Sequence, residues 1–290
     1  MTDVTCVLDC KAELGEGPLW DVAEQRLYWV NIKQNEIHRF DPATGRDEMW
    51  KAPENVGSLA LREKGGLVVA LQSGFFFFDS QTGNSGPGKF DSIVKPELER
   101  KGNRFNDGKP DKSGRFWAGS MDDAEKQPTG GLYRLGSDLS CKRMVDGIIC
   151  SNSLCWSADD KTMYYADSNT RSVWAFDYDA ASGEIANRRV FIRLGDEAGF
   201  PDGATVDAED FIWVAYWQGW NVTRFDPKGK IERVVKLPVE KPTCPAFGGP
   251  NLDICYVTSA WIGGPRQEHS GSIFAFQPGV KGLAEARFKG

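Results

Sequence analysis

The chain has 290 residues, of which 40% are hydrophobic and 12% aromatic, enough to build a large core as one big domain or two smaller ones. Its formal net charge of −6 argues against a nucleic-acid partner, because no basic stripe exists to neutralise phosphates, and no apolar run approaches the length of a membrane span. Ten Trp, seventeen Phe and 32 Gly, with few helix-favouring runs, point to an all-β protein rich in turns.

In chain order, the opening "MTDVTCVLDCKAELGEG" lacks the apolar centre of a signal peptide. Seven Cys, at positions 6, 10, 141, 150, 155, 244 and 255, form no regular framework, so reduced thiols and a cytoplasmic setting are expected. Cys6 and Cys10 have no His or second Cys pair beside them and do not read as a zinc site. Residues 14–46, "LGEGPLWDVAEQRLYWVNIKQNEIHRFDPATGR", give a lead-in, a strand to Trp20, a turn, the strand "RLYWVNI", and a third strand, "EIHRFDP", closed by a turn. Residues 55–83 repeat that order, including "GFFFFD", a buried strand too short to cross lipid, and end in "DSQTG". The basic spot "ERKGNR" that follows reads as a solvated loop.

The third copy, "NDGKPDKSGRFWAGSMDD", carries an insertion before "GGLYRLGSD". The fourth is residues 151–184, the fifth "PDGATVDAEDFIWVAYWQGWNVTRFDPKGK", and the sixth spans 244–279. Copies three and five are almost one sentence written twice: an Asx-Gly head, an acidic turn, then an aromatic strand. Heads at Glu16, Val56, Asn106, Asn152, Asp202 and about Ala246 recur every ~40–50 residues. Segments such as "EMWKAP", "RRVFIRL" and "IERVVKLP" leave room for a fourth strand in each copy. The expectation is a six-bladed β-propeller, with four-stranded antiparallel blades around a central channel, formed by residues 1–290 as a single domain. Two β-sandwiches would need a linker near the middle, and none is present.

Rotation about the channel brings equivalent positions into a ring, so Glu16, Asn106, Asn152 and Asp202 converge at its mouth. Turn chemistry accounts for any single Asx-Gly head, since Asn and Asp tolerate left-handed backbone. Four oxygen-bearing heads in one register, one of them the Gly-flanked Glu16, point instead to a site. Two carboxylates and two amides meeting there call for a counter-charge, met by one divalent cation. The all-oxygen set favours Ca²⁺, Mg²⁺, Mn²⁺ or Fe²⁺ over a closed structural zinc, with the ion's identity, a catalytic Zn²⁺ included, left open. His38 and His269 lie outside the heads, which disfavours a Ser-His-Asp mechanism. Trp217, Trp220 and Trp261 either stack on a ligand near the mouth or pack between blades.

"LGEGPLWD", "NRFNDGKPDKSGRFWAGSM", "SNSLCWS", "PDGATVDAEDFIWVAYW" and "FGGPNLDICYVTSA" resemble the senescence marker protein (regucalcin), gluconolactonase and sugar lactonase family over essentially the whole chain. The resemblance implies a six-bladed propeller with one divalent metal that hydrolyses sugar lactones. Its metal ligands would be Glu16, Asn152 and Asp202, with Asp202 also the general base. Arg104 and Asn106 would bind substrate, with a contact of Asn106 to the metal, direct or through water, left open, and Asp107 would stand beside the site. Where animal members carry Glu after "GTMA", this chain has "GSMDDAEK", so Asp122 or Asp123 takes over that sugar contact or it is absent. A phosphotriester or ester hydrolase on the same scaffold, and a non-enzymatic calcium-binding propeller, are the competing readings. The expected partner is a small sugar lactone, with no nucleic acid, no membrane, and a monomeric state.

Overall fold

Strands such as Thr162–Asp167 and Ile212–Trp217 bury almost every residue, so each needs packing on both faces of its sheet. Stacked blades meet that need. The computed structural model describes residues 3–80, 88–195, 199–264 and 266–290; the turn at 81–83 that ends the second repeat lies outside them.

The described residues form six four-stranded antiparallel sheets, five of them built from sequential hairpins. Blade 1 comprises Gly15–Asp21, Arg26–Asn31, Glu36–Asp41 and Arg46–Lys51. Blade 2 comprises Val56–Leu61, Leu67–Leu71, Gly74–Asp79 and Lys89–Val94, and blade 3 Asn103–Pro110, Phe116–Asp122, Gly130–Leu135 and Cys141–Ile148. Blade 4 runs through Ser151–Trp156, Thr162–Asp167, Ser172–Asp179 and Glu184–Arg193. Blade 5 runs through Phe200–Val206, Ile212–Trp217, Asn221–Phe225 and Ile231–Lys236. The first strand of each blade is innermost and buried; outermost strands such as Glu184–Arg193 are mostly exposed.

Blade 6 departs from the sequential pattern. Pro242–Gly248, Ile254–Ser259 and Ile273–Phe276 supply three strands, and Thr5–Leu8 from the opposite end of the chain supplies the fourth, pairing Thr5 with Ala275. This closure covers an edge that would otherwise stay open. Short 3₁₀ turns at Ile32–Gln34 and Ser168–Thr170 are the helical segments among the described residues, none long enough to cross a membrane.

The acidic turns fix the aromatic strands that follow them. Asp111 accepts from Trp117 Nε1 at 2.8 Å, Tyr178 OH at 2.7 Å and Arg115 Nε at 2.6 Å. Asp207 plays the same part in blade 5, accepting from Trp213 Nε1 and Arg224 Nε, each at 2.8 Å. The polar edges of these two indoles are thereby satisfied, which lets Trp117 and Trp213 sit fully inside.

Candidate metal and catalytic site

Every inner strand interrupts its ladder near its start. These bulges alter the register expected for the heads. Glu16 and Asn152 are the last paired residues before the interruption, opposite Val30 and Ala166. Asn106 and Asp202 fall one residue later, inside it. Backbone conformation accounts for the offset: Gly17 and Ser153, which follow the first pair, are left-handed at φ 52° and 56°, whereas Asn106 and Asp202 are not. In blade 6 the interruption falls at Thr243 and Cys244, so Ala246 is not the equivalent head.

Glu16 and Asp202, both buried, face each other within hydrogen-bonding reach, and Asp107 adds its charge to both. Burial, then the charge of Asp107, pushes Glu16 up to about 8, although Gly17 N donates to its Oε2 at 3.0 Å. Burial, then the Glu16 charge, holds Asp202 well above the ordinary carboxylate range. Ionised together, two buried, facing carboxyls need a cation beside them, and their surroundings offer amide and carboxyl oxygen. That donor set suits a hard divalent ion. Among the described residues no three His, Cys, Asp or Glu side chains cluster as a metal site, and the expected ligands are two carboxyls, Glu16 and Asp202, and one amide, Asn152.

A hydrogen-bonded arc continues around the mouth. Arg104 Nε donates to Asp123 Oδ1 and its Nη1 to Asn106 Oδ1, both at 2.6 Å. Asn106 Nδ2 donates to Asn152 Oδ1 at 3.1 Å and Ser151 O at 2.8 Å. Asn152 Nδ2 then reaches Ser168 Oγ at 2.8 Å, whose hydroxyl donates to Pro201 O at 2.6 Å, next to Asp202. Asp107 lies below the arc, its Oδ2 accepting from Leu154 N at 2.8 Å.

The two candidates of the inserted loop separate. Asp122 accepts from the amides of Lys126 and Gln127 at 2.8 and 3.0 Å, a turn-forming role. Asp123 binds Arg104 and also accepts from Lys33 Nζ at 2.6 Å, so blades 1 and 3 meet over the small head of blade 2. Sequence reasoning missed Lys33, Ser168 and Glu125. Glu125, left-handed at φ 54°, lies within electrostatic reach of Arg104 and Asp202. Only its place in the insertion signalled it.

The aromatic candidates have other partners. Lys241 sits over the Trp217 ring at 5.1 Å, Trp261 donates to Lys11 O, and Trp220 borders a surface groove with Val234 and Leu237. His38 is held between Asp47 and Glu36 and stacks on Trp29, within blade 1.

Fold and site together define a six-bladed propeller with an acidic, amide-lined centre at the mouth of its channel. Residues 14–261 match the SMP-30/Gluconolactonase/LRE-like region. The regucalcin of Xenopus laevis is 38% identical over 99% of this chain and 98% of its own length. A Bacillus subtilis protein designated, by name only, a sugar lactone lactonase is 34% identical over 99% of both chains. The structure of a calcium-binding regucalcin from Agrobacterium tumefaciens superposes with a TM-score of 0.93 at 29% identity, covering 99% of this chain and 97% of that one. The chain belongs to the SMP-30/gluconolactonase/LRE-like family.

Proposed function

We propose that this protein hydrolyses sugar 1,5-lactones to aldonic acids, using one divalent cation held by Glu16, Asn152 and Asp202. The observation that carries this reading is the pair of buried, facing carboxyls, Glu16 and Asp202, flanked by amide oxygens. The relatives named for lactonase activity support the substrate class. When bound, the cation supplies counter-charge and Lewis-acid polarisation of a carbonyl.

The side chains divide the remaining work. Arg104, held in a fixed plane by Asp123 and Asn106, offers its free donors to paired substrate oxygens. Asn106, anchored to Ser151 O and Asn152, orients the ring against Asp202. Asp202 takes a proton from water at a carboxylate oxygen as the water oxygen bonds the carbonyl carbon. The carbon–ring-oxygen bond then breaks, and the ring oxygen receives that proton. Asp107 tethers the blade 4 bulge and keeps Asn152 in place. Of the loop carboxylates, Asp123 is assigned to positioning Arg104, and Asp122 to the turn alone.

The proposal takes residues 1–290 as one domain, acting as a cytoplasmic monomer; seven unpaired cysteines support a reducing setting. Chelation should abolish glucono-1,5-lactone hydrolysis above the uncatalysed rate, and a divalent ion should restore it. Full turnover by chelated protein, or by Asp202→Ala, sinks the proposal. The calcium-binding description of the Agrobacterium relative favours one rival, a calcium-binding propeller without turnover. Cation binding with no hydrolysis across pentono- and hexono-lactones would install that rival.

A further inference from the structure

The family match ends at residue 261, yet the chain beyond it returns to the channel. Gly282 N donates to Leu252 O in blade 6, Arg287 Nη2 binds Asp21 Oδ1 at 2.7 Å in blade 1, and Phe288 N donates to Leu61 O in blade 2. Lys289 N reaches Gly114 O beyond the inner strand of blade 3. These contacts lie where inner strands end, so the segment crosses the channel at the end opposite the heads. On the way it presents Glu285 Oε1 to Lys109 Nζ at 3.2 Å.

Lys109 is buried, and its ammonium also donates to Ala204 O at 3.1 Å. It stands two residues beyond Asp107 on one strand. Asp107, Lys109, Glu285, Gly17 and Cys244 bound a cavity of about 10 Å³, room for about one water. Charge therefore alternates down the axis, from Glu16, Asp202 and Asp107 to the Lys109 ammonium and then to Glu285. A buried ammonium deprived of its partner turns to the next carboxylate within reach. For Lys109 the other carboxylate acting on it is Asp107, which also acts on Glu16 and Asp202. Its stem of four methylenes is flexible enough to swing there.

We propose that Glu285 is a positioning residue that anchors the Lys109 ammonium at the far end of the channel and so keeps it from swinging to Asp107, where its charge would oppose a divalent ion at Glu16 and Asp202. This rests on the cation reading given above. Mn²⁺ titration by calorimetry at fixed neutral pH, with melting curves as a check on folding, tests both. Glu285→Gln should bind Mn²⁺ about tenfold more weakly, the scale of a unit charge displaced by a few ångströms. Lys109→Met should bind at least as tightly as the wild type, and Lys109→Met/Glu285→Gln should return to wild-type affinity. Unchanged affinity in Glu285→Gln, even with a lowered melting point, makes Glu285 a strap only and overturns the proposal. A double variant as weak as Glu285→Gln overturns it too. Should Glu285→Gln not fold, the comparison of Lys109→Met with the double variant decides. Without the ammonium, loss of Glu285 should change affinity less than about twofold, and a tenfold loss there refutes the anchor. A wild type that binds no Mn²⁺ or Ca²⁺ defeats the cation reading as well, whereas normal wild-type binding with an unchanged Glu285→Gln defeats this inference alone.

Discussion

Glu16 prefers its proton in the cation-free protein because burial and the Asp107 charge lift it from 4.5 to about 8. The linkage has a definite sign. A carboxyl raised in the folded state contributes stability that is fully present below its unfolded value and is lost as pH rises through the folded one. Chelated protein should therefore lose melting temperature between pH 4.5 and about 8, and divalent cation should flatten that slope. Melting curves with chelator and with Mn²⁺ across that range check it; parallel slopes would remove Glu16 from any cation site. Arg104 gives a second expectation. Arg104→Lys keeps the charge but cannot bond Asp123 and Asn106 together, so kcat/KM should fall about 10- to 100-fold, as expected for about 1.5–3 kcal/mol per charged hydrogen bond. Initial-rate kinetics decide it, and an unchanged kcat/KM would leave Arg104 outside the site.

At the scale of the inner strands, neighbouring bulges are fastened in two ways. Side chains tie blade 3 to blade 4, where Asp107 accepts from Leu154 N, blade 4 to blade 5, where Ser153 Oγ donates to Asp202 O, and blade 6 to blade 1, where Thr243 Oγ1 donates to Gly15 O at 2.6 Å. Elsewhere glycine permits backbone to touch. A Cβ on Gly57 would lie 2.4 Å from Phe105 O and 2.8 Å from Asn106 N. Both are backbone atoms, so no rotamer relieves the clash and the strand bearing Arg104 and Asn106 must move. Gly57→Ala should cost about 1–3 kcal/mol in urea unfolding and lower turnover, as overpacking does. Gly195→Ala, whose Cβ meets nothing within 4 Å among the described residues, is the silent control. Equal stability of the two variants would dissolve the link between bulge packing and site. The repeat spacing made five of the six strand heads legible to within a residue, because those units restate a lead-in and a turn, while the sixth, expected near Ala246, lies at Thr243 and Cys244. The offset of Asn106 and Asp202 from Glu16 and Asn152 was not legible. A bulge adds a residue without changing the pattern of residue types, and only the φ of Gly17 and Ser153 distinguishes the two cases.

The whole ring depends on a seam that no repeat announces, since its partners sit at opposite ends of the chain. Thr5–Leu8 covers Ile273–Phe276, whose Ile273 and Phe274 are fully buried. Removal of residues 1–9 exposes that edge to water and to other chains. The seam also bears on chemistry. Leu14 bridges Ala260, Gly15 O takes the Thr243 hydroxyl, and Glu16 follows directly. Loosening blade 6 from blade 1 therefore shifts Glu16 relative to Asp202, which stands on blade 5 against blade 6. The truncated protein should melt about 10 °C lower, the size of effect expected for a few kcal/mol in a chain of this length. Lactone turnover should fall further than the loss of folded protein at the assay temperature accounts for, because the carboxyl pair opens before the blades do. Turnover measured beside far-UV circular dichroism at one temperature separates these effects. Activity that tracks the folded fraction would make the N-terminal strand a stabilising clasp with no hold on the site.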